Sequence, residues 1–339
     1  MKTIAIMPAK VGETTDPTPE FISEALKRAA DEHASSGYPS YLGMPSYLEA
    51  CARYMKRRFG VTVDPKTQVL ASIGSKEMIF NTPLAFIEPA TAGRSGDIVL
   101  SPTPGYPPYK TGTMFAYGTS YFYPLSPEHD FLPPLEKIPK DVARKAKMMW
   151  IGYPNNPTSK VASREDLKRI YDFCQKYDII LCSDECYSDL YFTDTPSASA
   201  LEVGTEGILV FQSLSKRNNM TGYRVGFVTG DPTLVQSLKH LKRNIDSGVP
   251  NFVQSAAMAA LDDDVWISEA RDRYREKAEI LVNALATKGY PNSFPEGTIY
   301  LWQQTRQGET GLEFAKKLLN PKIGVVCTPG IFISEPDSI

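Results

Sequence analysis

The sequence predicts an α/β fold, in which a mostly parallel sheet is sandwiched by helices and followed by a smaller α+β lobe. Two observations carry that expectation. Helical and strand patterns alternate through most of the 339 residues, as they do in parallel sheets with crossover helices. The span between Ser213 and Tyr223 is too short for such a crossover, so the strands flanking it must pair antiparallel, leaving one strand reversed.

Composition narrows the class further. With 42% hydrophobic and 22% charged residues, the chain reads as globular and long enough for two packed domains. A net charge of -2 without a basic run leaves nucleic acid an unsuitable partner. No apolar run approaches the roughly 20 residues of a membrane span. Five cysteines, an odd number with no N-terminal signal, point to reduced thiols in the cytoplasm. Cys182 and Cys186 lie far from His33, His129 and His240, so no metal site is expected.

A turn-rich loop from Gly12 ends with Thr18 as helix cap and Pro19 in the first helical position, opening a helix to about residue 33. A second helix, residues 46–59, is closed by Gly60. Residues 69–73 read as a strand and 76–87 as a helix, with Gly74, Ser75 and Lys76 at the joint. Free N–H groups and the positive end of the dipole make such a joint a phosphate cradle, although it also serves as a plain turn. Residues 97–102 form another strand, followed by a proline-stiffened turn, 104–109, into a helix. A strand over 148–152 runs into a rigid turn containing Pro154, Asn155, Asn156 and Pro157.

A helix over 164–177 leads to a strand from residue 179 that ends on Asp184. An acid there is either a cap or a ligand-facing group, because ligands of open α/β sheets sit at the strands' carboxyl ends. Glu185 and Asp189 read as solvated or structural. Residues 232–244 and 251–261 are helical, and 265–288 form a long helix suited to bridging domains. In the smaller lobe, strands over 297–303 and 323–327 flank a helix over 311–319.

The most informative segment is Ser213-Leu214-Ser215-Lys216, at the end of an apolar strand over 208–211, with Arg224 eight residues beyond the lysine. Lysine, arginine and hydroxyls at one sheet edge make a phosphate-sized anion pocket with an amine to spare. Cationic neighbours and partial desolvation depress an amine's pKa, and such an amine can attack a carbonyl to form a Schiff base.

This segment and the following Gly-Tyr-Arg-Val-Gly-Phe resemble the lysine segment of the fold-type I pyridoxal-phosphate aminotransferases, class I/II. The resemblance runs in family order from Gly12 to about Gly330. It implies that Lys216 carries pyridoxal 5'-phosphate and later moves the substrate's α-proton, and that Asp184 faces the pyridine nitrogen. Gly74, Ser75, Lys76, Ser213 and Arg224 would hold the phosphate, and Tyr106 would stack on the ring. Asn156, in the family's Asn-Pro-Thr signature, would meet the ring oxygen and the substrate carboxylate, with Tyr187 on the same oxygen. Ser159 stands where glycine is usual.

The resemblance further implies a homodimer with shared active sites, in which Tyr38 reaches the partner's phosphate, with Tyr41 as its substitute; core packing or a plain surface ring is the alternative for Tyr38. Gly12 would face the substrate carboxylate. Residues 35–262 would form the large cofactor-binding domain, and 1–34 with 263–339 a small domain built from both chain ends. No residue matches the arginine that family members carry after a Pro-Gly turn like Pro329-Gly330, so either truncation or lost or rearranged carboxylate binding is expected.

The substrates implied are an amino acid and a 2-oxo acid such as 2-oxoglutarate. The motifs are most similar to the branch containing succinyldiaminopimelate and LL-diaminopimelate aminotransferases of lysine biosynthesis. Aspartate- and alanine-type enzymes, or a cofactor-binding but inactive homologue, are the alternatives. Ser213-x-x-Lys216, Lys110-Thr111-Gly112 and Tyr153-x-Asn155 also spell a serine β-lactamase set, but in reversed order and with the serine ending a strand rather than starting a helix.

Overall fold

The computed structural model describes residues 3–6, 14, 16–93, 95–291 and 293–334. In chain order the elements are β1 (Thr3–Ile6), α1 (Glu20–Glu32), α2 (Pro45–Phe59), β2 (Val69–Ser72), α3 (Ser75–Phe86), β3 (Ile98–Thr103), α4 (Pro107–Phe115) and β4 (Thr119–Pro124). They continue as α5 (Lys140–Lys145), β5 (Ala146–Gly152), α6 (Arg164–Tyr177), β6 (Ile180–Asp184), β7 (Ile208–Ser213), α7 (Leu214–Arg217) and β8 (Gly226–Gly230). The last are α8 (Pro232–Lys242), α9 (Asn251–Leu261), α10 (Val265–Thr287), β9 (Leu301–Gln304), α11 (Gly311–Leu318) and β10 (Cys327–Pro329).

Seven strands form the large sheet in the order β2-β8-β7-β6-β5-β3-β4. β8 runs antiparallel to both neighbours, and the remaining pairs are parallel. The reversed strand expected after the lysine segment is therefore present.

The central strands β5, β6 and β7 are mostly apolar because both their faces are covered, whereas edge strand β4 is only partly buried. Met149 and Ile151 of β5 and Ile208 and Val210 of β7 pack into one core with α2, α6 and α9. Their alternates Met148, Trp150, Leu209 and Phe211 pack with α3, α4 and α8. Each fully buried side chain of this kind contributes about 1.5–3 kcal/mol.

The smaller sheet is antiparallel, in the order β10-β1-β9, and so unites both chain ends. Val282 of α10 and Phe314 of α11 cover it through Leu301 and Cys327. Within the first 34 residues, β1 belongs to this sheet, whereas Ile22 of α1 packs into the large core.

Several local expectations change. Thr18 does not cap α1: Pro19 holds the cap position, and the Thr18 hydroxyl donates to the Asn219 carbonyl at 2.8 Å. Of residues 323–327 only Cys327 joins the strand, which extends to Pro329; Gly324, at φ 68°, turns the chain just before it. Residues 297–300 lie outside β9, and their start is clipped to the loop after β6, where Thr298 N donates to Leu190 O at 2.7 Å. Edge strand β4 had no sequence counterpart. Glu185 and Asp189 are buried, which excludes the solvated alternative for both.

Candidate active site

From β3, the chain runs outward to β4 and then returns through β5 to β6 and β7 on the other side. The carboxyl ends of the strands at such a switch point open a crevice for ligands. A cavity of about 730 Å³ lies there, lined by Ser75, Lys76, Tyr106, Asn156, Asp184, Tyr187, Ser213, Lys216 and Arg224 among others. Residues from well-separated segments of sequence thus converge.

The turn after β7 holds the lysine in place. Ser213 Oγ accepts from Ser215 N at 3.2 Å and starts the single turn α7. Arg217, next to Lys216, is buried and donates to Asp189 Oδ2 (2.8 Å), Asn218 Oδ1 (2.9 Å), Ala260 O (2.6 Å), Asp263 O (2.9 Å) and Asp264 Oδ1 (2.7 Å). That set uses the full five-donor fork of a guanidinium. The turn is pinned, and Lys216 faces the cavity.

At one end of the cavity the groups suit an anion. Gly74 precedes α3 at φ 69°, and no side chain caps that helix. A Cβ at residue 74 would collide with Nη2 of Arg224, so glycine is what lets the guanidinium lie against the helix start. Arg224 also donates to Thr221 O at 3.0 Å and approaches Ser215 Oγ at 3.4 Å. An open helix N-terminus beside an arginine and three serine hydroxyls is a cradle for phosphate.

The other end holds a carboxylate. Asp184 ends β6, and burial pushes its carboxyl above the usual range, opposed by hydrogen bonds from Cys186 and Tyr109. Among the described residues its donors are neutral: Tyr109 Oη at 2.9 Å and Cys186 N at 3.2 Å. Tyr109 is in turn stacked on Trp150, with centroids 4.9 Å apart. A cation arriving at Asp184 would restore the charge balance that burial upsets.

Between the two ends stand the aromatic and amide groups. Tyr106 begins α4 and contacts Tyr109 edge-on at 5.7 Å, with Lys76 Nζ 5.8 Å from its ring centre. Asn155 braces its own turn, giving Nδ2 to Gly152 O and taking Thr158 N and Oγ1 on Oδ1. Asn156 is left to line the cavity. Ser159 adopts φ 62°, so the turn keeps the left-handed residue for which glycine would be the unstrained choice. Tyr187 Oη lies 2.8 Å from Tyr300 Oη.

All the expected residues of the lysine, aspartate and phosphate groups meet here, with Gly74 acting behind Arg224. Tyr38 is 94% exposed and stands apart from the cavity within this chain, and Tyr41 does not line it either. Gly12 lies outside the described residues. Sequence reasoning gave no role to Tyr109, Cys186 or Tyr300. Tyr109 could have been found, three residues after Tyr106 in the same turn-to-helix segment. Tyr300 lies 113 positions from Tyr187, just before β9, and nothing local marks it.

A sequence model of the family described as "Aminotransferase class I and II" matches residues 6–339. The chain belongs to this family. Among curated relatives it is 43% identical to LL-diaminopimelate aminotransferase 2 of Trichormus variabilis, over 95% of this chain and 82% of that one. It is also 43% identical to LL-diaminopimelate aminotransferase of Aquifex aeolicus, over 94% of this chain and 82% of that protein. Among solved structures, substrate-bound BacF from Bacillus subtilis superposes with a TM-score of 0.90 at 33% identity, covering 97% of this chain and 83% of that one. The β-lactamase alternative has no support in this fold, since Lys110-Thr111-Gly112 lies within α4 and only Ser213 and Lys216 of that set line the cavity.

Among the described residues no helix is long and apolar enough to cross a membrane. None of their His, Cys, Asp and Glu side chains form a group of three or more fit to hold a metal. The five cysteines are unpaired thiols.

Proposed function

We propose that this class I/II aminotransferase uses pyridoxal 5'-phosphate to move an amino group from LL-diaminopimelate, or a close diamino diacid, to a 2-oxo acid such as 2-oxoglutarate. The observation that carries the cofactor assignment is the layout of the cavity. A buried carboxylate with neutral donors, a lysine, and an anion cradle closed by Arg224 share one 730 Å³ space. The substrate assignment rests on the relatives named above and places the protein in lysine biosynthesis.

Bound there, the cofactor would supply a carbonyl for amine exchange and an electron-accepting ring. The protein's residues do the rest. Ser75, Lys76, Ser213, Arg224 and the start of α3 hold the phosphate, and Tyr106 fixes the ring plane. Asp184 keeps the ring nitrogen protonated, and Asn156 and Tyr187 meet the ring oxygen. Lys216 Nζ would take the substrate's α-proton and redeliver it within the same site. The second half-reaction runs these steps in reverse on the oxo acid. The protein works as a cytoplasmic homodimer, in which Tyr38 reaches the site of the partner subunit.

The test is borohydride treatment of protein loaded with the vitamer, followed by peptide mass analysis. The reduced adduct is expected on Lys216, and an adduct elsewhere or none refutes the assignment. A donor and acceptor panel then decides the substrate, with aspartate or alanine outpacing LL-diaminopimelate as the refuting result. Silence of the whole panel despite an adduct on Lys216 would mean a cofactor carrier and no enzyme.

A further inference from the structure

Tyr300 enters the cavity from the segment just before β9 with unusual constraint. Phe192 N donates to Glu296 O at 2.7 Å, Tyr191 bridges Gly297, and Thr298 N donates to Leu190 O at 2.7 Å. These contacts form a clip that holds buried Thr298 at φ 69°. Thr298 Oγ1 then accepts from Tyr300 N at 3.0 Å. A threonine in the left-handed region is strained, and such strain persists only where the surroundings enforce it. The residue so placed sets its ring edge-on to Tyr187, with centroids 5.6 Å apart and planes at 69°. It also closes the 2.8 Å hydroxyl pair at the cavity wall.

Counting protons gives this pair a direction. Burial holds both phenols above their usual pKa, so both are neutral near pH 7. Each hydroxyl owns one proton. If Tyr187 spends its proton on the cofactor's ring oxygen, as the proposed function has it, the 2.8 Å contact survives only with Tyr300 as donor. A hydroxyl that accepts such a bond becomes a better donor itself. The other titratable groups around the pair are Asp184 and Cys186 from the end of β6, Tyr106 from the start of α4, and Lys216 and Arg224 across the cavity.

We infer that Tyr300 is a positioning residue, whose hydroxyl donates to Tyr187 and thereby aims the Tyr187 proton at the cofactor oxygen. The inference rests on the cofactor reading above. It also means that the segment leading into β9, which begins at the next residue, contributes to the electronics of a site otherwise built by the large sheet.

The experiment is a spectral pH titration of the full-length protein loaded with pyridoxal phosphate, unsubstituted and as Tyr187→Phe, Tyr300→Phe and the double variant. A donor to the ring oxygen favours the form in which that oxygen carries full charge, so losing it raises the midpoint of the visible band. Tyr187→Phe should raise it most, and Tyr300→Phe by a few tenths to about one pH unit, the worth of one neutral hydrogen bond. The double variant should match Tyr187→Phe alone, because Tyr300 acts through Tyr187.

A merely structural Tyr300 would lower the melting temperature and leave the midpoint unmoved, which overturns the inference. Additive shifts in the double variant overturn it as well. Absence of any visible band in the unsubstituted protein overturns the cofactor reading and this inference together, whereas a normal band with a silent Tyr300→Phe overturns this inference alone.

Discussion

Two aspartates five residues apart, Asp184 and Asp189, each accept a tyrosine hydroxyl at 2.9 Å, from Tyr109 and Tyr54 respectively. Their company differs in one respect. Asp189 also meets Arg58 Nε and Arg217 Nε, both at 2.8 Å. Burial alone would raise its carboxyl, but the two guanidinium charges and the hydrogen bonds from Arg58 and Tyr54 outweigh that and hold it below the usual range. Asp184 has neutral donors, and burial holds it above the usual range. A buried charge with its counter-charges built in is scaffold, and one without them is prepared for a ligand.

The sharpest way to break this contrast is Asp184→Ala. Its turnover should fall about 10²–10³-fold, the usual cost of removing one electrostatic partner of a reacting group, with the protein still folded. A loss below tenfold would mean that the ring nitrogen is served elsewhere. Asp189→Asn should act on stability instead. It leaves buried Arg58 without its carboxylate, while Arg217 keeps Asp264 Oδ1 at 2.7 Å, and the cost by chemical denaturation should be about 3 kcal/mol. Because the Asp189 pKa is depressed on folding, its contribution is present above the unfolded carboxyl's pKa and is lost as pH falls through the folded value.

Glu185, between the two, sharpens the comparison. Its partners are Ser183 Oγ at 3.0 Å, Ala200 N at 2.8 Å and Gln212 Nε2 at 3.2 Å, and burial lifts its carboxyl to about 7. The folded pKa lies above the unfolded one, near 4.5, so the unfolded chain loses this proton first. Stability therefore declines between about pH 4.5 and 7, by up to about 3 kcal/mol from this group. Glu185→Gln should flatten that slope, and an unchanged pH profile of the melting temperature would contradict it. The smallest effect is Tyr54→Phe, which should cost about 1 kcal/mol of stability and leave kcat unchanged, since Asp189 keeps both arginines.

Much of this was legible in the chain. Residues 164–177 begin with a Ser163–Asp166 capping box, so local chemistry alone set those bounds. The apolar runs of β5, β6 and β7 announced strands buried on both faces, and the short span before Arg224 announced the reversal. What escaped depends on partners distant in sequence. The Thr18 hydroxyl chose Asn219, 201 positions away, over its own helix. Residues 323–326 are apolar enough to read as strand, yet β1 pairs only from Cys327 onward. Tyr109 and Tyr300 have meaning only once α4 and the segment before β9 are set against the end of β6 and the loop after it. The burial of Glu185 and Asp189 likewise depends on α2, α7 and the loop around Ala200 closing over them.

The segment around Asp16 and Thr18 has a mechanical consequence. Asp16 grips Lys277 at 2.7 Å and Arg273 at 3.2 Å on α10, while Thr18 holds the Asn219 carbonyl and Asn219 Nδ2 holds the Asp16 carbonyl at 3.0 Å. Two residues of chain reach no more than about 7 Å, so this strut has almost no slack. A shift of the long helix by more than a bond's give must tug the backbone three residues past the reactive amine, or else snap the ion pairs first.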